Sequence, residues 1–176
     1  MCKRGKEMRA FIAGIIDKNQ VNSLVQLRDA LAETAVRSRP VPRENLHITL
    51  EFLGDITEHQ ADAVCEALDS LSFRPLPLVI DKLGAFRSPD GSLVWAGSSR
   101  APELAAVQRR LHRALKEEGF KLEERRFLPH VTLLRKALQP VLPEVIEPIE
   151  GGISGITLFK SELRREGPLY TPLHTV

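Results

Sequence analysis

The chain has 176 residues, of which 43% are hydrophobic and 27% are charged, and its formal net charge is +2. This is the composition of an ordinary globular protein, long enough for one domain with a sizeable core. No apolar run approaches the ~20 residues that span a bilayer, and residues 1–7 lack the apolar stretch and cleavage site of a secretory signal. We therefore expect a cytoplasmic protein whose residues 1–7 form a loose tail, with Cys2 and Cys65 as free thiols.

The first part of the chain predicts a strand, a helix and a second strand. Residues 9–16 are an apolar run typical of a buried strand, and residues 19–35 place leucines at helical spacing. Pro40 precedes a second predicted strand over residues 46–52, which Gly54 is expected to end. The same order of elements is predicted to recur in the second half of the chain.

A helix is predicted to follow residue 57, because Thr57 and Gln60 have the spacing of a capping box. The buried face of this helix is expected to carry Ala61, Val64, Cys65, Leu68 and Leu71. The remaining predicted elements are a strand over residues 76–83, a hairpin within 83–97, a helix from Pro102 to Gly119, a strand over 131–134, and a strand pair over 153–163 and 169–176. Residues 139–150 are proline-rich and predict an irregular connection.

One four-residue pattern occurs twice, as His47-Ile48-Thr49-Leu50 and as His130-Val131-Thr132-Leu133. Random placement of the histidines and threonines would give about 0.2 His-x-Thr motifs in such a chain. Residues two apart on a strand share a face, so each His and Thr would point the same way while the apolar residue between them enters the core. The motif histidines are 83 residues apart, close to half the chain, which indicates an internal duplication with a cleft between two lobes.

Two imidazoles in one cleft suit the cleavage of a phosphodiester. Imidazole has an ordinary pKa of about 6.5, so one histidine can take the proton of the nucleophile while the other protonates the leaving oxygen. The hydroxyls of Thr49 and Thr132 can donate to the non-bridging phosphate oxygens. Several arginines flank the two motifs, and from position alone the favoured interpretation is solvated surface residues, while their presence beside both motifs points moderately to an anionic substrate: Arg39, Arg43, Arg125, Arg126 and Arg135.

A zinc site is a competing interpretation of the motifs, because histidine is a common zinc ligand. Zinc usually takes three or four protein ligands, and the glutamates near the motifs lack tight ligand spacing. His59, His112 and His174 are expected to be surface or capping residues. Glu51 shares the parity of the first motif and could face the cleft, but a solvated charge at the strand end is favoured. The sequence thus predicts no metal, and no nucleotide cofactor because it contains no glycine-rich phosphate loop.

The sequence around both motifs resembles the 2H phosphoesterases, and within them the bacterial and archaeal RNA 2′,3′-cyclic phosphodiesterases, also called 2′-5′ RNA ligases. The resemblance covers nearly the whole chain from Met8. Besides the motifs it rests on residues 9–13, 42–54, 83–86, 95–97, 126–135 and 167–170. Relatives often carry an aromatic residue, typically tryptophan, where Pro40 stands here, so the rim of the cleft is expected to differ.

The resemblance implies an α+β fold in one domain over residues 1–176. Two pseudo-symmetric lobes of antiparallel sheet, with outer helices, would surround a central basic cleft. The implied reaction is hydrolysis of RNA 2′,3′-cyclic phosphate ends to 2′-phosphomonoesters, without metal or nucleotide cofactor. In reverse, the same chemistry would join RNA ends, such as tRNA halves, through a 2′-5′ linkage.

The resemblance also implies roles for individual side chains. His47 would donate the proton, His130 would accept one, and Thr49 and Thr132 would hold the phosphate. Which histidine is the acid stays open, because the two halves are interchangeable at the level of sequence. The remaining pair, Phe52 and Arg135, would sandwich the terminal base, although strict strand alternation places both on the face opposite the histidines unless the strands bulge.

Two further functions stay open. One is a phosphodiesterase for 2′-5′ oligonucleotides or small cyclic nucleotides, and the other is a protein that binds RNA ends without turnover. Two intact motifs disfavour the second, because binding alone does not need paired proton roles. We expect a monomer without a membrane partner.

Overall fold

The computed structural model describes residues 7–176, so Cys2 and most of the predicted tail lie outside the described residues. The helices are α1 (Lys18–Thr34), α2 (Glu58–Ser70) and α3 (Pro102–Glu117), and a 3-10 turn spans Arg43–Asn45. The strands are β1 (Met8–Ile16), β2 (Arg37–Pro40), β3 (Ile48–Ile56), β4 (Leu76–Ile80), β5 (Lys82–Phe86), β6 (Ser92–Gly97), β7 (His130–Leu138), β8 (Ile149–Arg164) and β9 (Gly167–Thr175). None of these helices is long and apolar enough to cross a membrane.

The nine strands described form one antiparallel sheet. Its main path runs β4-β8-β1-β3-β7-β6-β5, while β2 pairs with β7 and β9 pairs with β8. Strands β3 and β7 are joined through a single residue pair, Ile48 with Val131. The strands that carry the two motifs are therefore neighbours, and their single pair links the β4-β8-β1-β3 part of the sheet to the β7-β6-β5 part.

The three helices pack with the sheet around one hydrophobic core. The predicted capping box starts α2, because Thr57 Oγ1 accepts from the Gln60 amide at 3.2 Å and Gln60 Oε1 accepts from the Thr57 amide at 3.0 Å. Helix α3 begins at Pro102 and is followed by Gly119, whose φ of +85° ends it. Cys65, on α2, is a half-buried free thiol, as predicted.

The α+β class is confirmed, with a large antiparallel sheet and three helices, whereas several predicted boundaries are wrong. Gly54 does not end β3, because its φ of +70° lets the strand bulge and continue to Ile56. The strand predicted over residues 76–83 is two strands that pair with different neighbours, β4 with β8 and β5 with β6. Strand β2 was not predicted, because Pro40 has no amide hydrogen to donate to a neighbouring strand. In the structure the amides of Val36 and Val41, on either side of β2, donate to backbone carbonyls of β7.

Candidate active site

The two His-x-Thr motifs meet at the junction of β3 and β7. Ile48 and Val131, the residues between His and Thr in the two motifs, pair with each other and are fully buried. They are 83 positions apart, as are the two histidines. The antiparallel register places the histidine of each motif toward the threonine of the other. We call the face of the sheet that carries these four polar side chains the histidine face.

Backbone carbonyls orient both imidazole rings in the same way. His47 Nδ1 lies 2.7 Å from the carbonyl oxygen of Asn45, and His130 Nδ1 lies 2.7 Å from that of Leu128. Because a carbonyl only accepts, Nδ1 of each neutral ring carries the proton and Nε2 is the basic nitrogen. The Thr49 hydroxyl then donates to Nε2 of His47, at 3.1 Å. Each ring can therefore take or return a proton at Nε2.

Burial lowers the pKa of both motif histidines. Loss of solvation brings the pKa of His47 to about 4, against the opposing hydrogen bond to Asn45, and the charges of Arg135 and His130 lower it further. Loss of solvation is also the main reason that the pKa of His130 is lowered, with the charge of Arg125 adding to it. Both rings are therefore neutral at pH 7 in the free protein.

Aromatic side chains flank each histidine. The ring centroid of His47 lies 5.1 Å from that of Phe11 and 5.5 Å from that of Tyr170. The centroid of His130 lies 5.6 Å from that of Phe86 and 5.8 Å from that of Trp95. Of the four aromatic residues, Trp95 is 9% exposed and packs over the glycine opposite it on β5. These contacts explain why both imidazoles are desolvated, and they fix the orientation of both rings.

A bulge in β3 places Phe52 on the histidine face. Thr49 pairs with Ala13 on β1, but Glu51 pairs with the adjacent Ile12, so β3 has one extra residue at this point. The alternation of side chains is therefore reversed after the bulge. Phe52 becomes the partner of Phe11, is 53% exposed, and lies 6.3 Å from that ring by centroids. Strict alternation, which places Phe52 on the opposite face, is thus the wrong rule here.

A matching bulge in β7 does the same for Arg135. Thr132 pairs with Trp95 on β6, whereas Leu134 pairs with the adjacent Val94, so β7 has an extra residue 83 positions after the extra residue of β3. Leu134 then enters the core and the exposed Arg135 lies on the histidine face. The two base-binding candidates are therefore brought to the same face as both motifs.

Glu51 does not occupy the position expected from the sequence. It is only 6% exposed, and its Oε1 lies 2.8 Å from His112 Nδ1 and accepts from Gln108 Nε2 at 2.7 Å. Both partners belong to α3, on the side of the sheet opposite the histidine face. The expectation of a solvated strand-end charge is wrong, because the bulge turns Glu51 inward. His112 is likewise held in this network rather than free on the surface.

The other two histidines lie apart from the motifs. His59 is exposed on α2, and His174 Nε2 lies 2.8 Å from Asp69 Oδ1. Within residues 7–176, no three His, Cys, Asp or Glu side chains are grouped so that they could hold a metal ion. Phe11 and Phe86 contact the histidines without having been singled out in the sequence, because only the strand pairing brings them there.

The LigT-like phosphoesterase family model matches the chain over residues 15–95 and 97–170, and each stretch contains one His-x-Thr motif. Among curated proteins, the RNA 2′,3′-cyclic phosphodiesterase of Aeropyrum pernix is 37% identical over 167 residues, which cover 89% of this chain and 95% of the relative. The protein of the same name from Aquifex aeolicus is 30% identical, over 94% and 95% of the two chains.

Solved structures show the same relationship. The crystal structure of E. coli LigT complexed with 3′-AMP has a TM-score of 0.81 and 26% identity, and covers 97% of this chain and 98% of the other. The TT0787 protein of Thermus thermophilus also has a TM-score of 0.81 and 26% identity, over 96% of each chain. The matching family model, the sequence relatives and these structures agree: the chain belongs to the LigT-like phosphoesterase family.

Proposed function

We propose that this protein hydrolyses RNA 2′,3′-cyclic phosphate ends to 2′-phosphomonoesters. The observation that carries the proposal is the pair of imidazoles that share one face, each with Nδ1 bonded to a backbone carbonyl and Nε2 available for proton transfer. Proteins named for this activity are similar over most of the chain. The finer architecture that we propose is bilobal, with two pseudo-symmetric lobes joined at the Ile48–Val131 pair and a cleft between them.

In the proposed mechanism, His130 is the base and His47 is the acid. Nε2 of His130 takes a proton from water as the water oxygen attacks phosphorus. The bond from phosphorus to the 3′-oxygen breaks, and His47 gives the proton on its Nε2 to that oxygen, which leaves a 2′-phosphate. Thr49 and Thr132 donate to the non-bridging oxygens as charge develops. The mechanism requires neither a metal ion nor a nucleotide cofactor.

The proton on His47 has to be acquired when substrate binds. With a pKa of about 4, His47 is neutral in the free protein at pH 7, so it cannot act as an acid in that state. The negative charge of a phosphodiester beside the ring favours the imidazolium and raises its pKa. Substrate binding thus prepares the acid, which ties proton donation to an occupied site.

Phe52 and Arg135 are the proposed binding residues for the terminal base. Both are exposed on the histidine face, and an aromatic ring and a guanidinium can each stack on the plane of a base. We further propose that the protein is a monomer, and that RNA with a 5′-hydroxyl end can replace water, so that ends such as tRNA halves are joined through a 2′-5′ linkage.

The test uses a short RNA with a 2′,3′-cyclic phosphate end, incubated with the protein in EDTA. We expect conversion to the 2′-phosphate, and loss of at least about 100-fold in rate in His47→Ala and His130→Ala. His59→Ala, which replaces an exposed histidine outside the site, is the matched control and should keep full activity. No product from the wild-type protein, or activity that survives both motif substitutions, would contradict the proposal.

The same assay separates the alternative functions. A 2′-5′-linked dinucleotide and nucleoside 2′,3′-cyclic phosphates are supplied in parallel with the RNA. Faster turnover of either one would move the assignment to 2′-5′ oligonucleotides or small cyclic nucleotides. Tight binding of cyclic-ended RNA without any turnover would identify a binding protein instead.

A further inference from the structure

Strand β2 brings arginines of the first half of the chain to the motif strand of the second half. Its residues pair with β7, so that Arg37 lies opposite Leu138 and Arg39 lies opposite Arg135. The flanking hydrogen bonds, Val36 N to Leu138 O at 3.0 Å and Val41 N to Leu133 O at 2.8 Å, hold β2 along β7. The position of these arginines relative to the site is therefore set by backbone pairing.

The register decides which face these side chains occupy. Directly opposed residues of an antiparallel pair share a face, so Arg39 lies on the same face as Arg135. The bulge in β7 has already placed Arg135 on the histidine face. Arg37 is two residues from Arg39 on an extended strand, and so it shares this face too. Three guanidinium groups thus follow one another away from the second motif.

These three arginines are not neutralised by the protein. All are exposed, and none forms an ion pair with any carboxylate of residues 7–176, unlike Arg28 with Asp29. Like charges that lie directly opposite each other on paired strands destabilise a sheet. The repulsion between Arg39 and Arg135 thus destabilises the sheet locally, and a bound polyanion would relieve it.

The spacing of the three arginines distinguishes a substrate with several phosphates, which could reach all of them, from a substrate with only one. Arg135 is close enough for its charge to lower the pKa of His47. Arg39 lies one strand further out, about 4.8 Å away across the ladder, and Arg37 lies roughly 6.6 Å beyond it along β2. A mononucleotide held at the histidines would not extend to Arg37, whereas the backbone of a longer RNA would continue over β2.

We propose that Arg37 and Arg39 form a subsite for the phosphates on the 5′ side of the cyclic end, so that the protein acts on RNA chains in preference to mononucleotides. The inference rests on the proposed function, since it assumes that a cyclic phosphate occupies the site between the histidines. Contacts of this kind are with the backbone and are independent of base sequence.

The test compares the wild type with the Arg37→Ala/Arg39→Ala double variant on two substrates, a five-nucleotide RNA with a cyclic end and a nucleoside 2′,3′-cyclic phosphate. We expect the KM for the RNA to rise about tenfold, with kcat and the mononucleotide kinetics nearly unchanged. The slope of log(kcat/KM) for the RNA against log salt should become shallower by about 0.7 for each arginine that contacts a phosphate.

Arg109→Ala/Arg113→Ala is the matched control, because it removes the same charge from exposed positions of α3, the helix behind the sheet. An equal rise in KM for both substrates, or the same rise in the control, would overturn the subsite. If the wild type turns over neither substrate, the proposed function fails instead. Turnover of both substrates with an unchanged KM in the Arg37→Ala/Arg39→Ala variant would contradict the subsite alone.

Discussion

His112 Nδ1 lies 2.8 Å from Oε1 of Glu51, across the contact between α3 and β3. Gln108 donates to the same carboxylate oxygen at 2.7 Å, so one helix holds the inward-turned residue of the β3 bulge by two contacts. The next residue along the strand, Phe52, emerges on the histidine face. A polar network behind the sheet therefore holds the bulge that brings Phe52, a proposed binding residue, to the front of it.

Substitution of Glu51 should alter substrate binding as well as stability. Glu51→Ala leaves His112 and Gln108 without their shared partner in a largely buried position, which we expect to cost about 1–3 kcal/mol of the free energy of unfolding. Release of the bulge should also raise KM by displacing Phe52. Glu51→Gln keeps an acceptor oxygen and should lose less of both. Urea denaturation and steady-state kinetics measure the two effects.

A double-mutant cycle distinguishes positioning from mere stability. If Glu51 acts through Phe52, the combined variant Glu51→Ala/Phe52→Ala should have nearly the KM of Phe52→Ala alone. Independent, additive increases in KM would show that Glu51 only stabilises the fold. The comparison is made at a temperature where all three variants are folded.

Phe52→Leu and Arg135→Lys should each weaken base binding. Leucine keeps an apolar side chain without an aromatic face, and lysine keeps the charge without the planar guanidinium. Loss of one stacking contact is expected to raise KM for a cyclic-ended RNA by about tenfold, with a smaller change in kcat. A ribose 2′,3′-cyclic phosphate that lacks a base should respond to neither substitution. Leu163→Ala, at an exposed apolar residue, is the control.

An anion in the site should raise the pKa of His47. NMR titration of the free protein should give a pKa of about 4, and saturating sulfate, whose charge is constant over this range, should move it upward. Anion binding then takes up a proton. Its affinity should be highest below pH 4 and should fall as the pH rises through the pKa of the bound state. A pKa for His47 that sulfate leaves unchanged would contradict proton acquisition on binding.

Gly84→Ala should disturb the surroundings of His130. A Cβ at Gly84 would overlap Cζ2 of Trp95, and the rigid indole cannot give way without moving from its contact with the histidine. We expect the free energy of unfolding to fall by about 1–3 kcal/mol. We also expect a lower kcat, with the preference for RNA over a nucleoside 2′,3′-cyclic phosphate unchanged. Gly14→Ala is the control, because its nearest contact is Cγ2 of Ile153 at 3.3 Å, which has to give by only a few tenths of an ångström. Equal losses of kcat in both variants would refute a specific role for the indole.

The sequence predicts well those features that depend on residues close together in the chain. The capping box at Thr57, the proline at the start of α3 and the two motifs all depend on contacts within a few positions. Glu51 shows why parity fails further along a strand, since a bulge is determined by the pairing with β1 and is invisible in β3 alone. Strand β2 was missed as well, because Pro40 argues against a strand locally and the partner that forms it lies almost 100 residues away in the chain.

The pairing of Ile48 with Val131 also bears on how the protein would distinguish the two sides of a phosphodiester. Two motifs that meet at equivalent residues offer the attacking and the departing oxygen nearly identical neighbours. The direction in which an RNA end enters must then be imposed from outside the motifs. Phe52 lies on the strand of the first motif, while Arg135 lies on the strand of the second motif, opposite Arg39 of β2. The residues that differ between the halves would thus determine the direction in which the RNA binds, while the repeated motif residues would carry out the reaction.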